Sequence, residues 1–192
     1  NCLALIFHLL KQKILNVAHI ANSQKFAEEK SLIQIFKPFN STIFMAVKYL
    51  IDKILITLEV AEKTALLIAL TKDGQIHRKG NGNATNTTLQ LAQGFSSDGH
   101  FEALMMTVDE SIFHYAGIIN EPEKAGKECR LTIVFQGGNG LDYSFRVLYG
   151  ENSQGPPAEL VKVLVNAVAI TEPWYQQQLN PERQKKWWQF WK

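Results

Sequence analysis

The chain has 192 residues, enough for one well-buried core and short for two, with 46% hydrophobic residues, 20% charged residues and a formal net charge of +2. That composition excludes disordered, collagen-like and low-complexity classes. Two cysteines, Cys2 and Cys129, make no disulfide framework and fit a reducing compartment, so a cytoplasmic location is expected. His8 and Lys11 break one apolar run and Asp52, Lys53 and Glu59 another, so neither reaches the roughly 18 residues of a membrane span, and none is expected.

The charge is uneven. Residues 1–44 carry five Lys and two Glu, and residues 180–192 carry Arg183, Lys185, Lys186 and Lys192 against Glu182. Each end is therefore +3, which against the total of +2 leaves −4 for residues 45–179. A mildly acidic body with basic ends gives no continuous basic face, so nucleic acid is not an expected partner.

In chain order, residues 1–44 read as an N-terminal extension outside the core, with a short apolar stretch at Leu3–Leu10 that resembles the core of a signal peptide without its basic leader. A single domain is expected over 45–179. Val47, Leu50, Ile51, Ile54, Leu58, Ala61 and Ala65 fall at helical spacing and predict an amphipathic helix, with a strand over 54–60 as the alternative because of the β-branched content. The apolar run 65–71, Asp73-Gly74 and then residues 75–79 predict a hairpin. Residues 80–88 read as a loop, and they hold two of three glycosylation sequons, at Asn83 and Asn86, the third being at Asn40.

Asp98 is the natural N-cap of a short helix bearing Phe101, Leu104, Met105 and Val108, and a second short helix is expected over Ile112, Phe113, Ala116 and Ile119, ending before Pro122. Residues 130–136 and 141–150 flank Gly137-Gly138-Asn139-Gly140. A two-residue loop there would set Phe135 opposite Ser144. A three-residue loop sets Phe135 against Tyr143, Ile133 against Phe145 and Leu131 against Val147, which keeps one face apolar and should therefore be the register adopted. Gly155-Pro156-Pro157 opens a long helix whose stripe of Leu160, Val161, Leu164, Ala167, Val168 and Thr171 should be buried, with Pro173 kinking or ending it. Asn180-Pro181 offers the start of a final short helix. The expected fold is α+β, an antiparallel sheet of about four strands in two hairpins with helices packed on one face.

Few residues point to chemistry. Neither G-x-S-x-G nor G-x-x-x-x-G-K-[ST] occurs, and no cofactor is expected. Asp98, His100, Glu102, Asp109, Glu110 and His114 crowd into seventeen residues, and His100, Glu110 and His114 are the raw material of a metal site, though without an established ligand spacing. Capping and the helix dipole explain the same carboxylates, so no metal is expected and no catalytic residue is assigned. Ser96, Ser97 and His100 show no sign of a triad. Cys129 beside Arg130 reads as packed rather than reactive.

The tail is distinctive. On a helical wheel Trp187, Trp188, Phe190 and Trp191 span an arc of about 160°, opposite Lys185, Lys186, Gln189 and Lys192. Trp187, Trp188, Phe190, Trp191, Lys185 and Lys186 are the residues expected to contact a partner or a membrane surface. The leading expectation is a small non-enzymatic binding or adaptor domain that holds a protein partner or a second copy of itself. Its alternatives are a metal-assisted hydrolase using 98–114 and weak membrane-surface association through the tail.

Overall fold

Ile51, Ile54 and Ile56 are buried, and the segment that holds them, β1 (Ile51–Val60), is a strand and not the expected helix. Among the described residues before it, 47–50 are helical. Three isoleucines, a valine and a threonine in ten residues fit a pleated surface between two neighbours, and that tertiary context overrides the helical spacing. β1 runs antiparallel to β2 (Lys63–Thr71) on one side and to β6 (Glu128–Gly137) on the other. The computed structural model describes residues 47–82, 90–138, 140 and 142–180, all within the unit Asn40–Lys192. The extension 1–44, the three sequons, the loop residues Asn139 and Leu141 and the tail 181–192 lie outside the described residues.

The sheet has seven strands, with β3 (Gln75–Gly80), β4 (Leu91–Phe95), β5 (Gly117–Asn120) and β7 (Asp142–Gly150) completing it in the order β4-β3-β2-β1-β6-β7-β5. It is mixed, because β5 lies parallel to β7. A four-stranded antiparallel sheet is thus incorrect: both expected hairpins are present, but β1 joins them into one sheet, and β4 and β5 form its edges. β5 lies where a second short helix was expected. Only Glu110–Tyr115 is helical there, as a 3-10 turn started by the Asp109 carboxylate, which accepts from Ser111 N at 3.0 Å.

Turn chemistry explains one missed strand pair. Val60 and Lys63 close a two-residue loop in which both Ala61 (φ 48°) and Glu62 (φ 63°) are left-handed, a conformation that usually advertises itself as Asn-Gly. Non-glycine residues there carry strain of about 1 kcal/mol each. Glu62→Gly is accordingly expected to raise stability by about 0.5–1 kcal/mol in denaturant titration, whereas the same change in the exposed, right-handed part of a turn would lower it. The β2–β3 hairpin differs from a two-residue Asp-Gly turn: Leu70 pairs with Ile76, and residues 72–74 form the loop with only Gly74 at positive φ. The β6–β7 register has Phe135 opposite Tyr143, Ile133 opposite Phe145, Leu131 opposite Val147 and Thr132 opposite Arg146, as the single-face argument requires.

Strand alternation gives the sheet two unlike faces. Ile54, Ile56, Leu66, Ile68, Leu70, Ile76, Leu131, Ile133, Phe135, Phe145 and Val147 point to the inner face and are fully buried. Over it lie α1 (His100–Thr107), the 3-10 turn and α2 (Ala158–Leu179). Phe113 of the 3-10 turn meets Tyr143 at 4.8 Å, Phe145 at 5.9 Å and Phe135 at 6.2 Å between ring centroids. On α2 the buried residues are Leu160, Val163, Ala167, Thr171, Trp174 and Tyr175. Val161, Leu164 and Val168 are only half-buried, which rotates the stripe slightly from the expected one.

Pro173 does not end α2, which continues to Leu179. A mid-helix proline costs about 3 kcal/mol, and the contacts around it offset that cost. Trp174 and Tyr175 are both buried, and the Trp174 ring lies so close to β4 that a Cβ on Gly94 would stand 3.2 Å from it. From β3, the fully buried Arg78 donates to Val168 O at 3.1 Å and to Thr171 Oγ1 at 2.9 Å, pairs with Glu172, and stacks 4.7 Å from the Tyr175 ring centroid. The Tyr175 hydroxyl accepts from Gly80 N at 3.1 Å and donates to Gln90 O at 2.8 Å, so one side chain ties down both ends of the β3–β4 connection.

Candidate functional site

Two surfaces merit attention, a polar cleft at one end of the sheet and the outer sheet face. The cleft, of about 270 Å³, lies between the 72–74 turn and the 96–99 loop. Ser96 Oγ stands 2.9 Å from His100 Nδ1 and accepts from Asp98 N at 3.2 Å. Ser96 N in turn donates to Gly74 O at 2.9 Å, joining the two loops. Across the cleft Thr71 Oγ1 bonds to Asp73 and accepts from Gln75 N at 3.0 Å. That Thr71 contact, ahead of the amide of Gln75, holds the exposed Asp73 carboxyl below its ordinary range.

Sequence reasoning missed the contact between Ser96 and His100, although i, i+4 spacing across Asp98-Gly99 was its available signal. A nucleophile needs a base that a third group orients, and among the described residues no carboxylate bonds to His100. The pair closes the turn into α1 instead. It also replaces the expected cap: Gly99, at φ 64°, is the N-cap of α1, and Asp98 contributes its backbone N–H to Ser96 and not its side chain to the helix.

The metal constellation is not assembled. Among the described residues no group of three or more His, Cys, Asp or Glu side chains is arranged to hold a metal ion. His100 begins α1, whereas Glu110 and His114 belong to the 3-10 turn. With three residues per turn instead of 3.6, positions i and i+4 stand about 120° apart, so the shared helical face that would have brought Glu110 and His114 together does not exist. The six tail residues Lys185, Lys186, Trp187, Trp188, Phe190 and Trp191 lie outside the described residues.

Cys129 is a free, buried thiol, and burial first, then the nearby Glu151 carboxylate, pushes its pKa up. Burial likewise raises Tyr143, and raises Tyr149 to about 12 with the help of its neighbour Cys129. All three groups hold their protons more tightly folded than unfolded, so their contribution is complete below their unfolded values of about 8.5 for Cys and about 10 for Tyr, and is lost as pH rises through the folded ones. The denaturation midpoint should hold up to about pH 8.5 and decline between about pH 9 and 12, with Tyr149→Phe flattening the upper part of that decline. A decline of unchanged shape in Tyr149→Phe would remove Tyr149 from this account.

The outer face is built by the residues between the buried ones. One row crosses β4 to β7 as Gln93, His77, Ala69, Leu55, Val134 and Ser144, and the next crosses all seven strands as Leu91, Lys79, Leu67, Thr57, Thr132, Arg146 and Ile118. Its centre is apolar and half-buried at Leu55, Leu67, Ala69 and Val134, and its margins are exposed at Leu91 and Ile118. The described helices all pack on the inner face. A comparison with known protein families finds no match, and a comparison with curated proteins finds none either.

Among the described residues no helix is long and apolar enough to cross a membrane.

Proposed function

We propose that the domain is a non-enzymatic binding module that holds a protein partner on the outer face of its sheet, with the aromatic tail as a second contact. The observation that carries this reading is the asymmetry of the sheet: seven strands have their described helices on one face, and the other presents an apolar centre at Leu55, Leu67, Ala69 and Val134. Antiparallel sheets commonly pack one face on the core and turn the other to solvent with polar side chains, so an apolar centre rimmed by polar residues on that second face marks an interaction surface. The cleft supports a catalytic reading less well, since its hydrogen bonds close turns. A reducing, cytoplasmic setting belongs to the same proposal and agrees with the free thiol of Cys129.

Leu55→Gln with Val134→Gln conserves volume and removes the apolar centre. The double variant should melt within a few degrees of the parent yet lose the proteins, or the second copy, that the parent retains in crosslinked pull-downs and sedimentation. Deletion of 181–192 should weaken the same association without abolishing it. Recovery of identical partners by the double variant would refute the outer face as the contact surface.

A further inference from the structure

The charges on the outer face specify the partner further, and this step rests on the binding reading above. Glu59 and Arg130, opposite each other on β1 and β6, pair at 3.1 Å, and Arg130 also reaches Glu128 at 3.9 Å. Lys53, Lys79 and Arg146 have no ion-pair partner among the described residues, and the remaining carboxylates lie at the end of the face marked by the Lys53 row, Asp142 at its far end and Asp73 bonded to Thr71 and Gln75. Lys79 and Arg146 occupy the same row, four strand spacings apart, with Leu67, Thr57 and Thr132 between them. At about 4.8 Å per spacing they stand about 19 Å apart, on either side of the apolar centre.

We infer that the segment seated on this face is acidic: a stretch of a partner protein that offers apolar side chains to Leu55, Leu67 and Val134 and carboxylates to Lys79 and Arg146. The body as a whole is −4, but at this face Lys79 and Arg146 flank the apolar centre, and that local charge disfavours the chain's own ends as occupants, since residues 1–44 and 180–192 each carry +3. It also separates this surface from a single-strand nucleic-acid platform, which needs aromatic side chains for base stacking. The two central rows contain none beyond His77, and Phe95 lies on the edge strand.

Fluorescence anisotropy with two labelled synthetic peptides tests the inference. Both carry the same leucine- and alanine-rich centre, one flanked by glutamates and the other by lysines, and a labelled oligothymidine serves as a third probe. The glutamate-flanked peptide should bind about three- to tenfold more tightly at low salt, a margin that two exposed charge pairs supply and that salt should erode. Lys79→Glu with Arg146→Glu should reverse the preference. Equal binding of both peptides, lost in the Leu55→Gln, Val134→Gln variant, would overturn the acidic partner while leaving the outer face as the binding surface. Tightest binding by the oligonucleotide would also overturn it. No binding by any probe would overturn the inference and the binding reading together.

Discussion

Phe135→Ala is expected to lower stability by about 3–5 kcal/mol, the range for removing a buried aromatic ring from a packed core. Phe135 is fully buried at the centre of the inner face, 5.8 Å from the Phe145 ring centroid in an edge-on arrangement, with Phe113 completing the cluster from the 3-10 turn. Three elements therefore lose contact with one substitution, and little can collapse into the space because the sheet fixes two of them. Thr132, three residues earlier on the outer face, is half-exposed, and Thr132→Ala should stay within about 1 kcal/mol. Equal losses in chemical denaturation would mean that the faces have been assigned wrongly.

Glu172→Ala should cost about 2–3 kcal/mol by a different mechanism, less than for a fully buried pair because Glu172 is 40% exposed. Arg78 is fully buried, and Glu172 is the carboxylate that neutralises it, so removing that carboxylate strands a guanidinium inside the core. Arg78 Nε already lacks a hydrogen-bond partner, which leaves the site poorly able to absorb a further loss. The reverse truncation is milder: in Arg78→Met the Glu172 side chain, 40% exposed, can turn to water, and Thr171 Oγ1 keeps its bond to Ala167 O at 2.7 Å. The order expected in denaturant melts is therefore Glu172→Ala worse than Arg78→Met, with the double variant recovering part of the loss. Arg78→Met as the most damaging of the three would show that stacking on Tyr175 outweighs the ion pair.

These residues also show how far the sequence could be read. The β6–β7 register was legible because a glycine-rich loop offers two registers and only one of them puts Leu131, Ile133 and Phe135 on a single face with Phe145 and Val147. β1 was legible only as the alternative, a strand over 54–60, because Val47, Leu50, Ile51, Ile54 and Leu58 satisfy helical spacing while burial follows Ile54 and Ile56 at strand spacing, and the Ala61-Glu62 turn carries no glycine to reveal it. β4 and β5, at five and four residues, are too short to show a period, and β5 is positioned by a long-range parallel pairing. Arg78 shares the inward side of its strand with Ile76, so its burial was readable in principle. Its partner Glu172, more than ninety residues away, was not. For the candidate surface, the outward side chains follow from alternation once the strands are known, but the rows that unite Lys79, Leu67, Thr57, Thr132 and Arg146 depend on a strand order that local patterns do not encode.

The most direct test of the outer face is methyl NMR of the full chain titrated with the glutamate-flanked peptide. Binding there should shift the methyl signals of Leu55, Leu67 and Val134 in a saturable way and leave those of Ile133, Leu160 and Val163, buried on the other side of the sheet, in place. Shifts confined to α1 and the Ser96–His100 cleft, with the Leu55, Leu67 and Val134 signals unmoved at saturation, would contradict the account and move the binding surface to the end of the sheet.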